Sequence, residues 1–221
     1  MDLVQQVLPA FLVGTRNTLI YCISAFPLAV LLGMFLSLLA GSRITWFRVP
    51  ARTFIEVMRG TPFLAQIYIL YYGLGGLLAN YGLIRLDNPL SAGITALALN
   101  YAAYEAEVFR AGLLSVDRGQ SEAALSLGLT AGQNFFRVVL PQAIPLMIPP
   151  FVNDFIYMLK DSAVLSIISV SELTAALTAA TIVHSSNPLP LYGLAMALYL
   201  VLSLPASYIA RFFERRLRAA L

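Results

Sequence analysis

Long apolar runs are the feature that most constrains what this chain can fold into. A helix needs about 20 mostly apolar residues to cross the hydrocarbon core of a membrane. Five stretches meet or nearly meet this requirement: residues 18–40, 62–79, 90–109, 143–182 and 189–212. They are too long, and too little alternating, to be strands of a membrane barrel. With 59% apolar and only 11% charged residues, the sequence predicts an all-α membrane protein that forms a single domain over residues 1–221.

The positions of the arginines predict how the spans are oriented. Arginines cluster after spans one, three and five: Arg43, Arg48 and Arg52, then Arg110, Arg118 and Arg137, then Arg211, Arg215, Arg216 and Arg218. The connection after span two has only Arg85, offset by Asp87. Because connections rich in arginine stay in the cytoplasm, we predict five transmembrane helices with the N-terminus outside and the C-terminus cytoplasmic. Residues 163–183 are then either a short half-buried segment or a helix that dips into the membrane and returns.

Between spans three and four, residues 118–141 form the longest interruption of the apolar pattern. Ser121 is a suitable N-cap for a short helix, and Gly128 would end that helix in the left-handed conformation. Thr130 and Gln133 have the spacing of a capping box, which predicts a second short helix ending at the proline that closes the stretch. The pair could rest on the bilayer surface or dock on another protein, and the pattern alone leaves both readings open.

Several function classes find no support in the sequence. The chain has no phosphate-binding loop, since Lys160 is its only lysine and follows Leu159 rather than glycine. His184 stands alone without a second ligand, so no metal site is predicted. Cys22 is the only cysteine, which excludes an internal disulfide. The net charge of +3 is explained by membrane orientation and does not indicate a nucleic-acid partner.

Polar residues inside the predicted spans are costly and usually face a cavity, a pathway or a partner. They gather around residues 59–68, 100–107 and 153–162. Lys160 and Asp161 are adjacent, so on a helix they cannot face each other and should reach different neighbours. The alternative for all these groups is that they only hold the helices together.

Several motifs resemble a known family. Glu122-Ala123-Ala124, Gly128 and Leu140-Pro141 resemble the EAA signature of permease subunits of bacterial ABC importers, with Val138 in place of the usual isoleucine. Further stretches resemble the polar amino acid subfamily, the histidine, glutamine and arginine permeases. They are Met58-Arg59-Gly60-Thr61-Pro62 with Gln66, Tyr104 to Arg110, Arg118-Gly119-Gln120, Leu140-Pro141-Gln142-Ala143, Pro149-Pro150 and Leu159-Lys160-Asp161-Ser162. The resemblance spans residues 10–215 and departs at Ala163-Val164.

The resemblance implies a multi-pass subunit of the bacterial cytoplasmic (inner) membrane. It implies a dimer of five-helix subunits, identical or paired with a paralogue, and two cytoplasmic ATPase subunits that bind ATP and Mg, with no cofactor in this chain. An extracytoplasmic binding protein, either separate or fused to a partner, delivers the amino acid. The short helix pair is then the coupling element that contacts the ATPases. Its implied coupling residues are Glu122, Ala123, Ala124, Gly128, Leu140 and Pro141.

On this basis we expect a non-enzymatic subunit of an ATP-driven importer for a polar or charged amino acid. A zwitterion needs donors for its carboxylate and acceptors for its ammonium group. The residues expected to line or shape its site are Thr61, Gln66, Tyr104, Glu105, Asp154, Asp161 and Ser162. Which amino acid is carried stays open. One alternative is an autonomous secondary transporter or channel, which would usually have more spans and an internal repeat that we do not find; another is a non-transporting scaffold.

Overall fold

The computed structural model describes residues 3–75, 88–184 and 188–220, with side chains to residue 216. The predicted end of span two, at 76–79, and the loop with Arg85 and Asp87 lie outside the described residues. The helices are α1 (Leu3–Ala40), α2 (Thr45–Gly60), α3 (Phe63–Gly75), α4 (Pro89–Leu114), α5 (Arg118–Ser126), α6 (Ala131–Ile168), α7 (Leu173–Val183) and α8 (Leu189–Ala220).

The all-helical prediction is confirmed, since the described residues contain helices and no strand. Three helices of the described part are long and apolar enough to cross a membrane: Leu3–Ala40, Ala131–Ile168 and Leu189–Arg216. Helix α4 has 26 residues, enough for a crossing, but it carries Glu105, Glu107 and Arg110. The number of crossings and their orientation stay predictions.

Helix α2 is an element that the apolar runs did not reveal. It is amphipathic, with Ala51 and Ile55 buried and Trp46 87% exposed. The buried side packs with Ala103 and Ala106 of α4. Because only one face of α2 is apolar, its sequence contains no long apolar run that would predict it. Gly60-Thr61-Pro62 separates it from α3.

Helices α1 and α4 form the centre of the bundle, and small residues let them approach closely. A Cβ added at Gly33 of α1 would lie 2.9 Å from the carbonyl oxygen of Ala102 and 3.0 Å from the amide nitrogen of Ala106. One buried cluster combines two alanines of α1 with three residues of α4: Ala25, Ala29, Ala92, Ala96 and Leu97. The many alanines of α4 therefore serve close packing with α1.

Helix α6 corrects the expectation that the second short helix ends at Pro141. It is α-helical over Ala131–Asn134, π-helical over Phe135–Val139 and α-helical again over Leu140–Asp161. Pro141 lies in the first turn of this last part, next to the wide π turn. A proline is tolerated where a preceding turn is not regular α-helix, because no i−4 hydrogen bond is then lost. The second short helix therefore continues into the next apolar helix.

Residues 163–183 fold as a tight turn followed by a short helix. Helix α6 ends in a 3-10 turn, Ser162–Ile168, and Ser169 then adopts the left-handed conformation with φ of 63°. Helix α7 begins at Leu173 and has 11 residues, about 16 Å at 1.5 Å per residue. That is too short to cross a membrane.

The start of α7 is held by a buried polar cluster, which we call the Glu172 corner. Glu172 is 1% exposed, and its carboxylate accepts from the amides of Thr174 and Ala175 at 2.8 and 2.6 Å and from the Tyr199 hydroxyl at 3.1 Å. The Thr18 hydroxyl accepts from the Leu173 amide at 3.2 Å. The corner thus connects α7 with both α1 and α8.

Candidate functional site

A cavity of about 500 Å³ lies between α4 and α6, and we call it the α4–α6 cavity. Helix α4 contributes residues three or four positions apart, which share one helical face. Arg59 enters from the end of α2. The lining residues are Arg59, Tyr104, Glu107, Val108, Ala111, Gly112, Ser115, Leu146, Pro150 and Asp154. Two of the predicted site residues, Tyr104 and Asp154, therefore border the same space.

Both signs of charge are present in this cavity. The Arg59 guanidinium lies 5.6 Å from the centre of the Tyr104 ring, within the range of a cation–π contact. Glu107 Oε2 accepts two hydrogen bonds from Arg110, at 2.6 Å from Nη2 and 2.9 Å from Nε. Asp154 supplies a second carboxylate, on α6. The cavity therefore offers a cation, carboxylates and a phenol to a polar solute.

Thr61 and Gln66 form a separate cluster at the break between α2 and α3, which we call the Gln66 junction. The Gln66 amide donates to the Met58 carbonyl at 2.8 Å and to the Thr61 hydroxyl at 2.9 Å. Its oxygen accepts from Asn100 of α4 at 2.8 Å. The Thr61 hydroxyl in turn donates to the Val57 carbonyl at 2.7 Å. These bonds satisfy backbone groups at the break and fix it against α4.

Glu105 does not border the α4–α6 cavity. It is fully buried, and neither carboxylate oxygen has a hydrogen-bond partner among the described residues. A Cβ at Gly33 would lie 2.6 Å from the Glu105 Cβ, so the side chain faces α1. Because Glu105 follows Tyr104 directly, a helix turns the two side chains about 100° apart.

Asp161 and Ser162 lie where the α-helical part of α6 meets its final 3-10 turn. Asp161 accepts a hydrogen bond from the Tyr101 hydroxyl at 2.8 Å. Ser162 is fully buried and donates to the Leu159 carbonyl at 2.8 Å. Lys160 turns elsewhere, with its ammonium 4.4 Å from the centre of the Tyr157 ring. As expected from their adjacency, Lys160 and Asp161 have different neighbours.

Helix α5 begins the short pair, which we call the coupling loop (residues 118–141). Asp117 is its N-cap, accepting from the Gly119 amide at 2.7 Å, so the prediction of a Ser121 cap is wrong. The helix starts earlier because a carboxylate two residues before the amide makes a strong cap. Glu122 and Ala123 are exposed and Ala124 is buried.

The turn after α5 is closed by its own backbone. Gly128 has φ of 83°, and its amide donates to Leu125 at 3.0 Å while the Leu129 amide donates to Ala124 at 3.2 Å. This is the Schellman pattern that ends helices on a left-handed residue. The predicted capping box follows, formed by Thr130 and Gln133. Both features of the corner are confirmed.

Apolar side chains project from the coupling loop. Leu127 is 82% exposed and Phe136 is 67% exposed. Leu140 is half-buried and Pro141 is exposed. A corner with satisfied backbone and uncovered apolar side chains has the features of a binding surface.

Comparisons with known proteins identify the family. The family described as binding-protein-dependent transport system inner membrane component matches residues 29–219. The chain belongs to this family.

Individual members of the family match over nearly the whole chain. A probable amino-acid ABC transporter permease protein of Sinorhizobium fredii is 38% identical over 213 residues, covering 94% of this chain and 87% of that protein. The glutamine transport system permease protein of Escherichia coli is 34% identical, covering 96% and 94%. A crystal structure of an amino acid ABC transporter with histidines superposes with a TM-score of 0.86 at 38% identity, covering 98% and 99%.

Membership in the binding-protein-dependent transport family confirms the resemblance found in the motifs. The chain is an inner-membrane permease component of a transport system. The family consists of permease subunits, which are not themselves enzymes. The helical bundle, the α4–α6 cavity and the coupling loop are therefore parts of a transport protein.

The predicted site residues of this family member separate into groups. Tyr104 and Asp154 meet at the cavity, Thr61 and Gln66 meet at the junction, and the remaining three lie elsewhere: Glu105 against α1, and Asp161 and Ser162 at the end of α6. Two charged lining residues, Arg59 and Glu107, were missing from the predicted set. The spacing of Tyr104, Glu107, Val108 and Ala111 along one helical face could have indicated Glu107.

Proposed function

We propose that this chain is the transmembrane subunit of an ATP-driven importer that carries a polar or charged amino acid across the cytoplasmic membrane. The observation that carries the proposal is the coupling loop, a closed corner with exposed apolar side chains, on a chain 38% identical to a probable amino-acid permease. ATP and Mg are bound by two separate cytoplasmic ATPase subunits.

The proposed topology has five crossings with the N-terminus outside. In it, the second crossing is the predicted span 62–79, α2 with Arg48 and Arg52 precedes it on the cytoplasmic side, and α7 is a short outer-side helix. The three groups of arginines then all lie in the cytoplasm, together with the coupling loop. Cysteine labelling from either side of the membrane tests this, and a coupling loop labelled from outside would contradict it.

The coupling loop transmits ATPase closure to the spans. Backbone hydrogen bonds within the loop close its corner, which lets it move as one body. Glu122→Lys reverses an exposed charge, and Gly128→Asp places a side chain where φ is 83°. Both variants should insert normally but lose substrate-stimulated ATP hydrolysis. Normal coupling in both would refute the docking role.

The α4–α6 cavity is the proposed centre of the substrate site. Asp154 accepts from the ammonium group of the amino acid, and Arg59 supplies donors for its carboxylate, with Tyr104 beside them. The Gln66 junction, with Thr61, shapes this site by fixing the end of α2. Glu105, Asp161 and Ser162 shape the helices around it.

Substitutions test the residues that shape the helices around the cavity. Glu105→Ala and Asp161→Ala should reduce transport, because Glu105 fills the α1–α4 contact and Asp161 accepts from Tyr101. Unchanged uptake of the radiolabelled substrate in either variant would remove that residue from the site.

The assembly contains a second permease subunit, either a copy or a paralogue, and receives its amino acid from an extracytoplasmic binding protein. Purification through this subunit should recover a soluble ATPase. ATP hydrolysis by the reconstituted complex, measured with the binding protein and a panel of amino acids, identifies the substrate. Solute uptake by this chain without a second gene product would instead support an autonomous secondary transporter or channel.

A further inference from the structure

A second cavity lies next to the first and shares two residues with it. It measures about 370 Å³, and we call it the α1–α2 cavity. Its lining residues are Ser37, Ala40, Gly41, Arg52, Ile55, Glu56, Arg59, Glu107 and Arg110. Of the residues that the structure describes, only Arg59 and Glu107 border both this cavity and the α4–α6 cavity. They are therefore the side chains that stand between the two spaces.

These two residues form a loose ion pair. The Arg59 Nη1 and Glu107 Oε2 atoms are 4.0 Å apart, and the side chains are 44% and 29% exposed. The same carboxylate oxygen is held much more closely by Arg110, at 2.6 Å. A half-exposed pair at this distance adds little stability, so its loss costs little. Because Arg110 stays bound, Arg59 can leave Glu107 without leaving that carboxylate unpaired.

The position of Arg59 in the chain allows such movement. It lies in the last turn of α2, directly before the break at Gly60-Thr61-Pro62. The Gln66 junction fixes the backbone of the break against α4. Within the described part of the chain, the Arg59 side chain is held by the Glu107 carboxylate at 4.0 Å and by the Tyr104 ring. The backbone is therefore anchored more firmly than the side chain.

We propose that the Arg59–Glu107 ion pair is the gate between the α4–α6 cavity and the α1–α2 cavity. The pair holds the resting protein closed, and it parts when the amino acid passes from the first cavity to the second. Glu107 then keeps Arg110 as its partner. This assignment rests on the proposed function, because it takes the α4–α6 cavity as the substrate site.

The test is ATP hydrolysis by the purified complex, with its ATPase subunits, in the absence of a binding protein. Arg59→Gln and Glu107→Gln each remove the pair and should raise this basal rate about two- to fivefold, the factor expected from losing a half-exposed ion pair. Arg59→Lys keeps the positive charge and should raise the basal rate less than Arg59→Gln does. If neither glutamine variant raises the basal rate, the gate is refuted.

A double variant separates a shared pair from two independent effects. If Arg59 and Glu107 act through one contact, the variant with both substitutions should show no larger rise than either single variant. A rise equal to the product of the two single effects would overturn the proposal. Glu56→Gln is the matched control, since it removes a carboxylate of α2 that borders only the α1–α2 cavity. An equal rise in this control would also overturn the gate.

Arg110→Gln distinguishes the two partners of Glu107. It removes the shorter ion pair but leaves Arg59 in place, so the basal rate should stay within twofold of the native rate. Recovery of the ATPase with each variant shows that the subunit has folded. Failure to recover any ATPase with the native chain would refute the proposed function itself, which is a different result from an unchanged basal rate.

Discussion

The coupling-loop corner and the Glu172 corner are both turns that lead into a helix, but they are held by different means. At the first, every bond joins residues within five positions of each other, from Asp117 to Gln133. At the second, Thr18 bonds an amide 155 positions away and Tyr199 bonds Glu172 from 27 positions away. One corner is exposed, and the other is buried.

This difference indicates how each corner can behave. A corner that satisfies its own backbone groups keeps its shape when it moves or when a partner binds it. A buried corner that depends on α1 and α8 can keep its shape only while those helices stay in place. Substitutions should therefore affect the whole bundle at the Glu172 corner and only the loop at the coupling corner.

Glu172→Ala should have the largest effect. It removes the acceptor of two amides and of the Tyr199 hydroxyl, all in a buried site, and should cost about 3 kcal/mol or more. The measurement is the temperature at which the detergent-solubilised subunit stops eluting as a single species. Glu172→Gln keeps one acceptor oxygen and should lose less. An unchanged transition in the alanine variant would show that the corner is not held by this carboxylate.

Gly14→Ala tests the same corner from α1. The added Cβ would lie 2.9 Å from the Leu173 Cα and 3.0 Å from the Glu172 carbonyl oxygen. Backbone atoms cannot yield as a flexible side chain can, so we expect a loss of about 2 kcal/mol in the same heating assay. Gly193→Ala is the matched control, because a Cβ there meets nothing within 4 Å. Equal behaviour of both variants would argue against the close contact.

Gly128→Ala should have the smallest effect on stability and a purely local one. A left-handed alanine costs about 1 kcal/mol, which should speed amide hydrogen exchange in α5 and leave the bundle unaffected. Gly132→Ala, in open space within a helix, is the control and should not speed exchange. If Gly128→Ala lowered the heating transition as much as Glu172→Ala, the two corners would not differ as described.

The coupling corner could be predicted from sequence because its bonds are local. Gly128 and the Thr130–Gln133 box are each recognised within a few residues. The starting cap was misassigned since Asp117 and Ser121 are both suitable residues, and short-range pattern does not choose between them. The prediction that the second short helix ends at Pro141 was wrong for a similar reason, because the π turn that accommodates this proline has no clear sequence signature.

The Glu172 corner was not predicted, since its partners come from distant parts of the chain. In the sequence Glu172 is a single carboxylate in an apolar region, and only the fold brings α1 and α8 around it. The same limit explains the site. Tyr104 and Glu105 both looked like site residues, but only the placement of α1 and α6 shows that one borders the cavity and the other faces Gly33. The residue types indicated a polar function, and helix packing decided which way each side chain points.

The continuity of α6 has a mechanical consequence. From Asn134, beside the exposed corner, to Asp154, at the cavity, there are 20 residues, or about 30 Å of helix at 1.5 Å per residue. The π turn and the internal prolines lie on that length, but the helix is continuous through them, and tilting it by about 10° displaces one end relative to the other by about 5 Å. A small push at the coupling loop is thus delivered to the cavity as a displacement comparable to the width of an amino acid side chain.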